Sequence, residues 1–181
     1  MEQFNLNNYI KRIAGFFESP AQTIRTLIDE EAKFDALASI VLSNIINAIM
    51  TALWVIYLNF KQSLVQLSLF KYVFKSVINT NLTLAICIAA YFFVGKGLGG
   101  NGTPMGVFVA FGFVSVLITA VSTIGNMWPI LVYPATIIGF LLGYVACKEA
   151  HGFENPKEVV ITAVVASVAI SAVNYVISFI I

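Results

Sequence analysis

The chain has 181 residues, 59% of them hydrophobic, and its ten Lys and Arg against nine Asp and Glu leave a net charge of +1. Soluble domains carry about 25% charged residues, against 10% here, so the composition argues against a soluble globular enzyme. The near-neutral charge gives no basic field for a nucleic acid, and two cysteines cannot staple a secreted disulfide scaffold.

The charges fall into islands, and the uncharged intervals between them (36–60, 76–95, 97–147 and 159–181) set the architecture. About 20 apolar residues at 1.5 Å rise cross a hydrocarbon core of about 30 Å. Three intervals are therefore one span each. The interval 97–147 divides at Gly125-Asn126 and Trp128-Pro129 into two. The prediction is an all-α polytopic membrane protein with five transmembrane helices at about 37–58, 76–95, 104–124, 128–147 and 157–181. This transmembrane domain, 36–181, is preceded by a cytosolic or interfacial amphipathic segment, 1–35.

In that first segment Leu6, Tyr9, Ile10, Ile13, Phe16 and Phe17 recur at helical spacing, as in a helix lying in the membrane interface. A second helix is expected from Ser19-Pro20-Ala21-Gln22, with serine as cap, proline in the first turn and glutamine completing a capping box. Its apolar face is Ile24, Leu27 and Ile28. The apolar runs begin only after six acids, so the reading includes no secretory signal, and the first span acts as its own uncleaved one.

The uncharged intervals that form the spans contain no Asp, Glu, Lys, Arg or His, with Lys157 and Glu158 only at the head of the fifth, which argues against a proton-coupled pump. They do carry uncharged polar groups. Asn44, Asn47 and Thr51 share one face of the first span, Asn79 and Asn81 lie in the second, and Asn174 lies in the fifth. The reading is interhelical hydrogen bonding, with a path for a neutral solute or ion as the alternative. Between the first two spans, 61–75 is amphipathic, and either lies along the surface or extends the second span with its lysines snorkelling.

Gly95-Lys96-Gly97-Leu98-Gly99-Gly100 satisfies the dinucleotide-loop spacing but follows a membrane helix instead of a strand, so it reads as a tight inner loop. The inner-loop residues are Lys96, Gly97, Gly99 and Gly100. Thr103-Pro104 and Asn155-Pro156 repeat the polar-cap-then-proline start and mark the third and fifth spans. In the fourth span Ala135, Gly139, Gly143 and Cys147 form an every-fourth-residue packing series, answered in the fifth by Ala163, Ser167 and Ser171. Pro134 reads as a static kink within the fourth span.

His151 stands without a second histidine or nearby thiol and reads as a solvated loop residue, so no metal site is expected. Cys87 and Cys147 sit in apolar spans with no catalytic partner. The expectation is therefore no catalytic residue, cofactor or metal. Lys and Arg number seven on one side of the predicted spans and three on the other, which places the N-terminus in the cytoplasm and the C-terminus outside.

Two stretches carry a family resemblance: Phe17-Glu18-Ser19-Pro20-Ala21-Gln22-Thr23-Ile24, and the run from Tyr91-Phe92-Phe93-Val94-Gly95-Lys96-Gly97-Leu98-Gly99-Gly100 through Tyr144-Val145-Ala146-Cys147-Lys148-Glu149-Ala150-His151-Gly152-Phe153. Together they resemble the Yip domain (Ypt/Rab-interacting protein) family, nearer its prokaryotic members. The resemblance implies a cytosolic N-terminal segment and five helices. In eukaryotic members it implies vesicle-traffic roles through small GTPases and one another, at the endoplasmic reticulum and Golgi. The Asp-Leu-Tyr-Gly-Pro motif of those members is not present here.

The functional expectation is a non-enzymatic scaffold or adaptor in a lipid bilayer. It would form homo- or hetero-oligomers with other membrane proteins, with a small GTPase as partner by family analogy alone and no nucleic acid. A small channel or carrier is the alternative.

Overall fold

In the computed structural model, which describes residues 4–61, 68–127 and 129–178, the chain is helical throughout its regular structure. Seven α-helices follow one another: α1 (Leu6–Glu18), α2 (Pro20–Asp29), α3 (Lys33–Lys61), α4 (Leu69–Gly97), α5 (Pro104–Met127), α6 (Val132–His151) and α7 (Pro156–Ser178). A short 3₁₀ turn, Pro129–Leu131, joins α5 to α6. Four helices, Lys33–Lys61, Leu69–Gly97, Pro104–Gly125 and Pro156–Val173, are long and apolar enough to cross a membrane. The predicted fourth span corresponds to α6, which ends in Lys148, Glu149 and His151 and is not one of those four.

Local chemistry sets the helix starts. Asn5 caps α1 through its side chain, accepting from the amides of Asn7 and Asn8. Thr103 accepts from the Gly106 amide at the head of α5, and Asn155 from the Lys157 amide at the head of α7, as polar-cap-then-proline requires. At α2 the expectation needs correction. Ser19 is the N-cap residue and Pro20 is in the first turn, but the serine side chain makes no capping bond, so there is no capping box. Pro134 also differs from expectation. It falls in the first turn of α6, where its missing N–H interrupts no helical bond, so no mid-span kink arises.

The segment left open at 61–75 is resolved from residue 69 onward. Lys71 and Lys75 belong to α4, which continues unbroken into the apolar stretch. The helix extends the second span, and residues 62–67 lie outside the described part. At 1.5 Å per residue, the 29 residues of α3 and of α4 reach about 43 Å each, more than the roughly 30 Å hydrocarbon core. Trp54, Tyr57 and Lys61 lie toward the C-terminal end of α3, and Tyr72, Lys71 and Lys75 toward the N-terminal end of α4, an interfacial composition.

α5 is the central helix, packed against α3 and α6 along its length and touched by α2 and α4. Its first half supplies the core: Val107, Val109, Ala110, Phe111, Phe113 and Val114 are all buried. α1 and α2 wrap this end. Tyr9 and Phe16 of α1 meet the Phe113 ring at centroid distances of 6.3 and 6.0 Å, while Ile24 and Leu27 of α2 are fully buried. Hence the apolar arc of α1 is shared. Tyr9 and Phe16 turn into the bundle, while Leu6, Ile10 and Phe17 remain exposed. The arc expected to lie in the interface is therefore turned into protein at Tyr9 and Phe16.

At the other end the helices present large apolar residues outward, among them Ile45, Ile49, Leu53 and Ile56 on α3 and Ile137, Phe140 and Leu141 on α6. Water would penalise such a surface, whereas hydrocarbon does not.

Candidate functional site

The polar residues of the first two spans meet across the α3·α4 interface. Asn44 and Asn81 form a reciprocal amide pair, each Nδ2 donating to the other's Oδ1 at 3.0 and 2.9 Å. The spare amide hydrogens go to the Ile40 and Val77 carbonyls one turn back. Farther along, Asn47 Nδ2 donates to Ser76 Oγ and Thr80 Oγ1, both at 2.9 Å, and Thr51 Oγ1 donates to Ser76 Oγ at 3.0 Å. On the α5 side Ser43 Oγ and Thr119 Oγ1 are 2.5 Å apart.

Asn44, Asn47, Thr51 and Asn81 are thus brought together in one ladder. Asn79 is exposed and takes part in none of these bonds, and the Asn174 side chain lies outside the described part. Ser76 and Thr80 were missed as partners. Their four-residue spacing, matching that of Asn47 and Thr51, was the available signal.

Such bonds average about 0.6 kcal/mol in membranes, with a maximum near 1.7. Replacing Asn44 by Leu strands the Asn81 amide. We expect a double-mutant cycle of Asn44→Leu and Asn81→Leu, read by unfolding in detergent, to show a favourable coupling of about 0.5–1.7 kcal/mol. Additive losses would mean that the pair contributes nothing jointly.

The predicted packing series divides. Ala135 is buried close to α5: a methyl group added at Gly125 would lie 2.5 Å from Ala135 Cβ. Gly143 and Cys147 are buried, and so is Ala163. Ser167 is exposed, but its side chain hydrogen-bonds the Tyr91 side chain of α4 and so does join two helices. Gly139 and Ser171 meet no neighbour of this chain in the same way: nothing lies within 4 Å of a methyl placed on Gly139, and Ser171 is exposed. The reason is geometric. An every-fourth-residue stripe drifts around a 3.6-residue helix, so one stripe need not keep facing one neighbour.

The second assembly of polar groups surrounds His151. The solvated-loop reading is overturned: the residue is 1% exposed and closes α6 against the α4–α5 connection. Three glycines form the cradle. A methyl on Gly95 would overlap the imidazole, and methyls on Gly100 and Gly102 would lie 2.7 and 2.6 Å from Nδ1. Gly99 holds a left-handed turn at φ 89°, which glycine adopts freely. Gly97, Gly99 and Lys96 are exposed on this loop, and Gly100 is buried.

Nε2 of His151 lies 3.1 Å from the Tyr91 carbonyl, which can only accept, so Nε2 carries a proton; a ring this buried, with no acceptor for a second proton, is neutral. Nδ1 is then a bare acceptor, buried and without a hydrogen-bond partner among the described residues. Burial pushes the imidazole below its ordinary pKa, the Tyr91 bond works against this, and Lys96 lowers it further. The Asn101 amide donates to the His151 carbonyl at 2.9 Å, and the His151 and Phe153 rings stack at 5.3 Å.

Two sets of ion pairs bind the N-terminal helices to this end. Arg12 bridges Glu30 and Asp35, and Arg25 pairs with Glu149 of α6. Tyr9 adds a hydrogen bond to Ser39 at 2.9 Å, and burial pushes its phenol above the ordinary value. Among the described residues no group of three or more His, Cys, Asp or Glu could hold a metal.

These features define a multi-pass helical membrane protein in which Asn44, Asn47, Thr51 and Asn81 are engaged with polar side chains of the facing helix. No family model, curated protein or solved structure matches this chain.

Proposed function

We propose that this chain is a non-enzymatic membrane scaffold or adaptor of the Yip-domain type, with five spans, a cytosolic N-terminus and an external C-terminus. The observation that supports it is the α3·α4 ladder, in which Asn44, Asn47 and Thr51 satisfy Asn81, Ser76 and Thr80. Polar groups that hydrogen-bond each other hold helices together, whereas a solute path needs some of them left available to a passing ligand. Counting α6 as a crossing, the fourth in chain order and the one that brings the total to five, is supported by its packing against α5. The partners we assign are other membrane proteins or further copies of the chain, and a small GTPase rests on the resemblance alone.

The test has two arms. Reconstituted vesicles should show no flux of ions or small neutral solutes, and crosslinking in native membrane should recover a reproducible protein partner. Solute flux that disappears in Asn47→Leu would overturn the scaffold reading in favour of a carrier or channel.

Topology is tested separately. With Cys87 and Cys147 replaced by Ala, single cysteines at Lys61 and Glu154, both exposed, should react with an impermeant thiol reagent from opposite sides of the membrane. Labelling from one side only would refute the five-span arrangement.

A further inference from the structure

We propose that His151 is the pin of a proton-sensitive latch: neutral, it holds the glycine loop 95–102 closed on the end of α6, and protonated, it leaves its cradle and frees the loop. The idea goes beyond a scaffold role and stands on geometry. The ring is enclosed by Gly95, Gly100 and Gly102 so closely that none can carry a side chain without displacing it. Its Nε2–H is committed to Tyr91 O, and its Nδ1 faces the loop with no partner among the described residues. A proton added at Nδ1 has no acceptor in this arrangement, and a cation that is buried and unpaired is costly. The ring can relieve this only by moving toward solvent, which removes the wall on which the loop rests.

The surrounding charges do not rescue the cation. On α4, Lys96 opposes it and Tyr91 offers only its carbonyl, already used. The connection 98–103 carries no ionisable side chain. On α6, Glu149 is paired with Arg25 of α2, and Lys148 is a further positive charge. Glu154, Lys157 and Glu158, which lead into α7, follow the stacked Phe153 and make no bond to the ring.

The sign follows from burial. The folded imidazole binds its proton more weakly than the unfolded one, whose ordinary value is 6.5. The closed loop is therefore fully stabilised above that value, and the stabilisation is lost as pH falls through the lowered folded value.

Because the chain has one histidine, selective imidazole labelling reports on this ring alone. The full-length protein in lipid nanodiscs would be titrated by ¹⁵N NMR from about pH 8 to about pH 4.5, with amide exchange of Gly100 and Asn101 followed in parallel and corrected for its intrinsic pH dependence. We expect an Nε2–H tautomer at neutral pH. Protonation should occur below the ordinary value, with a rise of about tenfold or more in corrected exchange over the same interval. In His151→Phe, which keeps an aromatic ring beside Phe153, corrected exchange should not vary with pH. A ring that stays neutral to about pH 4.5, or that protonates without loosening the loop, overturns the latch. The native-chain titration decides the matter even if the variant fails to fold.

Discussion

Replacing Phe113 by Ala is expected to cost about 3–5 kcal/mol, the range for deleting a buried aromatic ring. It should do so by releasing the N-terminal helices. Phe113 is 0% exposed and lies midway along the buried half of α5, where the Tyr9 and Phe16 rings of α1 pack against it. Its loss would leave a cavity beneath α1, the helix with the least other apolar support. The check is unfolding in detergent together with limited proteolysis of the α1–α2 junction near Ser19. We expect cleavage there to quicken more than elsewhere. Phe140→Ala, at an exposed position on α6, should change stability by no more than about 0.5 kcal/mol. Equal effects of the two changes would mean that the N-terminal cap is not anchored through Phe113.

Arg12→Leu is expected to be comparably damaging, at about 3–5 kcal/mol, because it leaves a buried carboxylate without its partner. Asp35 is 5% exposed and sits in the first turn of α3, bonded to one arm of the guanidinium while the other holds Glu30. Glu30 is largely exposed, so its share is small. Lysine at position 12 should rescue only part of the loss, because a single ammonium does not reproduce the planar two-armed fork. The decisive comparison is the double variant Arg12→Leu with Asp35→Leu. Removing both charges should recover most of the stability that the single change loses. If the double variant is as unstable as Arg12→Leu, the damage comes from lost packing of the arginine stem and not from the stranded charge.

The two predictions concern contacts of different legibility. That Tyr9 and Phe16 share the apolar side of a helix follows from spacing, but nothing local says whether that side meets lipid or protein. The structure divides it, with Tyr9 and Phe16 against Phe113 and with Leu6, Ile10 and Phe17 open. Both environments are apolar, so hydrophobic periodicity is equally satisfied by either. The same ambiguity affects the small-residue stripes. Ala135, Gly143 and Ala163 are packed, whereas Gly139 and Ser171 are open, and all satisfy one spacing rule.

His151 shows the opposite failure. A histidine between Glu149 and Glu154 in a charged stretch gives every local sign of solvation, yet it is among the most buried side chains. Its walls come from residues 91–102, of which Tyr91 is 60 positions away in sequence. The glycine run reads as a tight loop from its sequence, but the need for glycine comes from the distant ring that those residues enclose.

What the sequence by itself determined was the class of protein and the approximate limits of its apolar helices. Low charge, long uncharged intervals and polar-cap-then-proline starts act within one helical turn or one bilayer thickness, and such signals are complete without knowledge of the fold. Only the tertiary structure decided which groups meet: Asn44 with Asn81 across 37 positions, Arg25 with Glu149 across 124, and His151 with its glycine cradle. Those pairings depend on which helices are neighbours and how each is rotated about its axis. That choice is made by the packing of the whole bundle around α5, and no single segment encodes it.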